Sequence, residues 1–292
     1  MEEIFPISFS IPSCKIVKYL PRKRKVMATI IPGDLKTYIF KDEELYYLDY
    51  QRSRFAHTKK KAGYDCMRHL EILANGCIPI FEKIEKIPKK TMTHYPIDFL
   101  KEIYKDDLVN NWCDWKYNYY ANRLIEWTRD NLSCESMAQY ILNKTGHQEI
   151  KNLLFISDGQ PDYLRCTTLI GFKTLYGKNC HDYPCIWHLY NDYPQKDVKN
   201  LYGKGFSYSK ILDKELKCNN NANIPDLIKK HHYDIVIYGS ITRCEKYMDL
   251  VQKYYKSNEI ILLCGEDSQT KSLPFFKKYP NNYKFQREIA DT

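Results

Sequence analysis

No stretch of this sequence stays apolar for the roughly 18 residues that a membrane-spanning helix needs. The 11 cysteines include no C-x-x-C pair. That excludes a disulfide-stapled miniature fold and a redox motif, and it reads as reduced thiols in a cytoplasmic setting. The opening "MEEIFPISFSIPSCK" runs acidic before apolar, the reverse of a secretory signal. A cytoplasmic protein is therefore expected. No solenoid-length repeat occurs, and "CNNNAN" alone is low in complexity, read as a loop. No D-x-D acid pair stands beside a strand end, so neither metal nor cofactor is expected. The net charge is +9, but it is divided between the two halves of the chain rather than massed in a tail. Such a balance argues against a dedicated nucleic-acid arm and suits an anionic ligand held in a cleft.

What is present is a folded chain, 43% hydrophobic and 28% charged. At 292 residues it suits two domains, here 1–148 and 149–292. The 26 tyrosines accompany many Lys, Asn and Ile residues, a bias of A/T-rich codons rather than of function.

Residues 23–41 predict two short strands around Pro32-Gly33-Asp34, the second at 37–40. Residues 42–53 predict a helix and 54–58 a strand. Three helices follow further on, in "PIDFLKEIYK", "NWCDWKYNYYANRLIEWTRDN" and "SCESMAQYILNK", the last with Ser133 as N-cap and Gly146 as its stop. From Lys151 the pattern changes. "NLLFISDG", "YDIVIYGS" and "EIILLCGED" are apolar runs alternating with the helical "YLRCTTLIGFKTLYG" and "TRCEKYMDLVQKYYK". Such runs mark buried parallel strands and an α/β layer fold. Ligands of parallel sheets bind at the carboxyl ends of the strands. Here those ends carry Ser157-Asp158-Gly159, Gly239-Ser240 and Gly265-Glu266-Asp267.

The most informative block is residues 59–81, "KKKAGYDCMRHLEILANGCIPIF". Lys59, Lys60 and Lys61 precede a helix start, where free N–H groups and the helix dipole favour anions. Arg68, Glu71 and Asn75 at i, i+3 and i+7 share one helix face. Taken singly, these residues have plain alternatives: a solvated lysine loop, and a surface ion pair worth about 0–1 kcal/mol. As an ordered block they describe a site for a diphosphate, with an acid placed to accept from sugar hydroxyls.

The longer segment "SRFAHTKKKAGYDCMRHLEILANGCIPIF" resembles the nucleotide-sugar-binding half of GT-B glycosyltransferases, close to the exostosin-like pattern. It carries the Ser-x-Phe strand, the Gly, the Arg three residues ahead of a Glu, and the Gly-Cys-Ile-Pro strand. Together with "PISFSIP" and a trailing "P..TM...P" block, it is similar to glycosyltransferase-like proteins of large DNA viruses and phages. The likeness runs from about Pro6 to Gly146, and Tyr64 stands where Trp is more usual. It implies a fold of two Rossmann-like domains facing across a cleft. It implies a metal-independent transfer of a sugar from a nucleotide-diphosphate sugar to an acceptor hydroxyl on a glycan, a protein or modified DNA. By the same resemblance Glu71 holds the donor ribose, and Arg68 with Arg54, Lys60 and Lys61 meets the diphosphate. Lys59 and Tyr64 belong to the same donor site, Asp65 braces the cations, and Cys77 is a small buried hydrophobe.

The second half resembles the acceptor-side half of those viral proteins, where it comes first. "FQREIADT" reads naturally into "EEIFPISFSIP", which implies a circularly permuted order with the two chain ends close together and residues 133–146 packed on the half beginning at Lys151. A general base is required to take the acceptor proton. Asp158 and Asp162 in "SDGQPDY" are the first candidates, and Glu266 and Asp267 the second. Turn-stabilising Asx residues are the alternative for the first two. Arg243, after Gly239-Ser240, adds charge toward the phosphates or faces solvent. "CHDYPCIWH" holds Cys180, His181, Cys185 and His188 with part of a zinc spacing, but a fourth ligand at proper spacing is missing. Two other readings stay open: a nucleic-acid binder that stacks bases on aromatic rings, and an inactive transferase kept for interactions.

Overall fold

The computed structural model describes residues 3–218 and 223–291. In chain order its elements are β1 (Ile4–Pro6), β2 (Lys25–Met27), α1 (Glu43–Arg52), β3 (Ser53–Thr58), α2 (Met67–Ala74), β4 (Ile78–Phe81), α3 (Ile97–Lys105), α4 (Asp114–Asn131) and α5 (Cys134–Thr145). There follow β5 (Leu153–Ile156), α6 (Tyr163–Tyr176), β6 (Cys180–Tyr183), α7 (Gln195–Val198), α8 (Ile224–Lys229), β7 (Ile235–Tyr238), α9 (Met248–Tyr254), β8 (Ile260–Cys264), α10 (Gln269–Lys278) and β9 (Tyr283–Gln286).

The strands form two sheets, both parallel throughout. One has three strands in the order β2-β3-β4, the other six in the order β1-β9-β8-β7-β5-β6. This is the α/β class expected. Strands β5, β7 and β8 are buried at every position, which is why they appear in the sequence as unbroken apolar runs. The strand order reverses between β5 and β7. In parallel sheets such a point opens a crevice at the carboxyl edge.

The N-terminal strand joins the sheet built otherwise from residue 153 onward. Ile4 pairs with Lys284 and Pro6 with Gln286, so the first and last described strands lie side by side, as expected. Helix α5 lies on α6, also as expected. Their contact is so close that a Cβ on Gly171 would stand 2.0 Å from the Cys134 carbonyl oxygen. Ser133 caps α5 by accepting from the Ser136 N–H at 3.2 Å, and Gly146 ends it at φ +74°. Helix α6 is tied to β6 by an ion pair wholly out of solvent. Lys173 Nζ stands 2.8 Å from Asp182 Oδ1, and Asp182 Oδ2 also accepts from Ile186 N–H and the Tyr190 hydroxyl.

Two local expectations are corrected. Residues 37–40 are not a strand: Leu35–Thr37 form a 3-10 turn capped by Asp34, whose carboxylate accepts from Lys36 N–H. The helix expected at 242–256 begins only at Met248. The N–H groups of Arg243 and Cys244 both bond the Ser240 carbonyl, and Tyr247 is left-handed at φ +61°.

Candidate functional site

The residues after β2, β3, β5, β7, β8 and β9 converge on one cleft of about 640 Å³. The carboxyl edges of both sheets therefore open into the same space. From the three-stranded side come Ile30, Tyr38, Phe40, Lys61 and the α2 residues Arg68 and Glu71. From the six-stranded side come Asp162, Tyr163, Arg243, Asp267 and Arg287.

Helix α2 supplies the cationic wall. It starts at the cleft with no side-chain cap and stops where Gly76 turns at φ +65°. A Cβ at Gly76 would press on Leu20 at 2.9 Å, so the stop is also a packing point. Arg68 lies over the Tyr38 ring, 5.0 Å from its centroid, and makes no salt bridge among the described residues. Lys61 is exposed and is likewise without a carboxylate partner there. Glu71 is buried and bonded by protein hydroxyls, Tyr46 at 2.6 Å on one oxygen and Ser207 at 2.5 Å on the other. Burial raises its carboxyl above the usual range, while the Ser207 and Tyr46 hydroxyls oppose that shift.

The floor is a network around buried Arg287, which the sequence did not single out. Its guanidinium donates to the carbonyls of Gly265 (2.9 Å) and Asp65 (2.7 Å) and to the Glu288 carboxylate (2.8 Å), and it pairs with Asp267. Glu288 in turn accepts from the Asp65 N–H at 2.9 Å, and Asp65 accepts from the Phe9 N–H at 2.6 Å. Burial pushes the Asp65 carboxyl up to about 7, against the pull of Arg287. Gly63 is required here, since a Cβ would meet Glu288 Oε1 at 2.4 Å.

On the opposite wall Asp162 caps α6, accepting from Arg165 N–H at 3.0 Å. Its other oxygen stands 3.2 Å from Arg243, which also reaches Glu266 at 3.6 Å. The expected alternatives for Asp162 and Arg243 thus meet in one arrangement: a capping carboxylate and a cation that faces the cleft.

The far end is closed by residues 202–210, which run between β6 and β7 but cross to the other wall. Phe206 stacks on Tyr46 at 5.7 Å, Lys204 Nζ donates to the Phe40 carbonyl at 2.8 Å, and Ser207 N–H donates to Glu43 at 2.6 Å. Nothing in the sequence marks this crossing.

Of the residues expected to form the site, Lys61, Asp65, Arg68, Glu71, Asp162, Arg243 and Asp267 line the cleft. The others do not. Arg54 lies 3.7 Å from the Trp112 ring centroid and pairs with Asp114 at 2.8 Å, which turns it away. Lys59 packs beside Gly33, and Lys60 lies over the ring of Tyr64, itself packed on the core. Asp158 is held by Arg165. Gly239 packs under Phe155, Ser240 is buried at a turn, and Glu266 is bonded by Thr242 and Lys271. The two histidines of residues 180–188 go to separate partners, His181 to Tyr233 and His188 to Cys166. Among the described residues no group of His, Cys, Asp and Glu is placed to hold a metal ion. No helix there is long and apolar enough to cross a membrane. No protein-family model, curated protein or solved structure matches this chain.

Proposed function

We propose that this chain is a glycosyltransferase of GT-B-like arrangement, moving a sugar from a nucleotide-diphosphate sugar to an acceptor hydroxyl without a metal. One observation carries the reading. A cleft at the carboxyl edges of two parallel sheets sets the unpaired cations Lys61 and Arg68 on one wall and the carboxylate of Asp162 on the other. Its volume of about 640 Å³ falls within the roughly 300–1,000 Å³ of small-molecule sites.

The chemistry follows from charge. As the glycosidic bond breaks, negative charge grows on the departing diphosphate. Lys61, Arg68 and the N-terminus of α2 stabilise it, taking the part a metal would otherwise play. Asp162 accepts the proton of the attacking hydroxyl as general base, and Arg243 orients its carboxylate. Asp65 and Arg287 brace the floor. The acceptor is a glycan, a protein or modified DNA.

A panel of UDP, GDP, TDP and CDP sugars tests the proposal by thermal shift and by release of nucleoside diphosphate with EDTA present. One sugar nucleotide should raise the melting temperature, since a ligand at 100 times its Kd stabilises by about 2.7 kcal/mol. Turnover should survive EDTA. No shift with any sugar nucleotide, or activity that vanishes with chelator and returns with Mn²⁺, would overturn it.

A further inference from the structure

We propose that residues 202–210 are a displaceable latch on the cleft, with the Ser207 hydroxyl standing on Glu71 in the place of a ligand hydroxyl. The inference rests on reading the cleft as a nucleotide-sugar site.

The bond from Ser207 Oγ to Glu71 Oε1 is an alcohol donating to a carboxylate, the same bond a ribose hydroxyl would make. Glu71 is buried, and its second oxygen already accepts from Tyr46. Each oxygen keeps a second lone pair, but a ligand hydroxyl that takes the position of either bonded hydroxyl has to replace Ser207 or Tyr46. Tyr46 is fixed in α1, within the core behind α2. Ser207 sits on a connecting segment from the opposite wall, so it is the one that can leave.

The backbone of that segment favours release. Lys204, Ser207 and Lys210 are non-glycine residues with φ of +58°, +71° and +57°. Such conformations persist only when surrounding contacts hold them. On its own wall the segment is rooted by buried Tyr208, whose hydroxyl donates to the Tyr202 carbonyl at 2.8 Å and whose ring meets Tyr163, and by the Lys210 N–H on the His188 carbonyl. Across the cleft it is held by the Tyr47 hydroxyl on Ser207 Oγ at 2.7 Å, Glu43 on the Ser207 N–H, the Phe40 carbonyl on Lys204, and the Tyr46 ring on Phe206. Breaking them would carry Lys204 and Phe206 out of the cleft lining together with the hydroxyl. A ligand with a free vicinal diol competes for Glu71, whereas one lacking the diol gains nothing from displacing Ser207.

The test compares wild type with Ser207→Ala by amide hydrogen exchange and by calorimetric titration with UDP, GDP and their 2′,3′-dideoxy forms. Exchange at the amides of 203–210 should rise at least tenfold in the variant, with α2 and the six-stranded sheet unchanged. The ribonucleotide should bind at least threefold tighter, and the dideoxynucleotide should show no gain. Unchanged exchange, weaker ribonucleotide binding, or an equal gain for both forms would overturn the latch. If neither nucleotide binds either protein, the nucleotide-sugar reading fails, and the exchange result alone decides the latch. Ser207→Gly, which accepts a φ of +71° without strain, gives the same readouts if the alanine variant does not fold.

Discussion

Arg68 and Glu71 stand one turn apart on α2 yet do not pair. Tyr46 and Ser207 take the two Glu71 oxygens, and the Arg68 guanidinium lies over the ring of Tyr38. The ordinary fate of such a spacing, a surface ion pair, is thereby excluded, and no carboxylate among the described residues takes the charge of Arg68. Arg68→Met should weaken nucleoside diphosphate binding by about 10- to 150-fold, the equivalent of a charged hydrogen bond of about 1.5–3 kcal/mol. Calorimetry checks this, and an unchanged Kd would remove Arg68 from the site.

Asp162 caps α6 and is proposed as the general base, two tasks that one substitution separates. Asn caps helices about as well as Asp, so Asp162→Asn keeps the bond from Arg165 N–H but removes the base. Transfer should fall by about 10²–10⁴ with the melting temperature nearly unchanged. Asp162→Ala should lose both activity and roughly 1 kcal/mol of stability. An asparagine variant with full turnover would transfer the role of base elsewhere.

The buried pair of Lys173 and Asp182 is structural and lies outside the cleft. Lys173→Met strands a carboxylate in the interior, and it should cost about 3–5 kcal/mol in urea unfolding. Removing the charge as well, in Lys173→Met with Asp182→Asn, should recover part of that loss. A single variant as stable as wild type would show that the pair contributes nothing.

Acid stability carries two opposing slopes. Burial holds His69 down at about 3 and His94 and His188 down at about 4. Below 6.5 the unfolded chain binds protons at these rings that the folded chain refuses, so stability falls as pH drops toward 4. Asp65 acts the other way. Between 3.8 and about 7 the folded chain keeps a proton that the unfolded chain releases, so its contribution falls as pH rises. Asp65→Asn should therefore steepen the loss of melting temperature from pH 7 to pH 4. A flatter profile in that variant would contradict a raised Asp65.

Sequence reasoning reached the parts of the molecule that local pattern dictates. Strands β5, β7 and β8 were legible because burial on both faces demands unbroken apolar runs. Strands β6 and β9, "CHDY" and "YKFQ", were not, because their buried positions include Asp182, Lys284 and Gln286, polar residues satisfied or held only by the tertiary structure. In the site, Lys61, Asp65, Arg68 and Glu71 were legible because they surround one helix start. Arg54 was misplaced because Trp112, 58 residues away, takes its guanidinium. Arg287 was missed for the same kind of reason: its carbonyl partner Asp65 is 222 residues away. Ser207 left no local signal, since its meaning depends on a carboxylate 136 residues earlier.

The pairing of β1 with β9 has a consequence for the birth of the protein. Translation delivers residues in order, at roughly 5–20 per second. Ile4 emerges about 280 residues ahead of its partner Lys284. For roughly 15–60 s of synthesis the first strand has no neighbour to bond, and its unpaired N–H and C=O groups are open to other chains. The six-stranded sheet cannot be complete until synthesis reaches β9, which stands between β8 and β1. The newborn chain has to keep β1 unpaired until β9 is made, so a strand made early is the last to join its sheet.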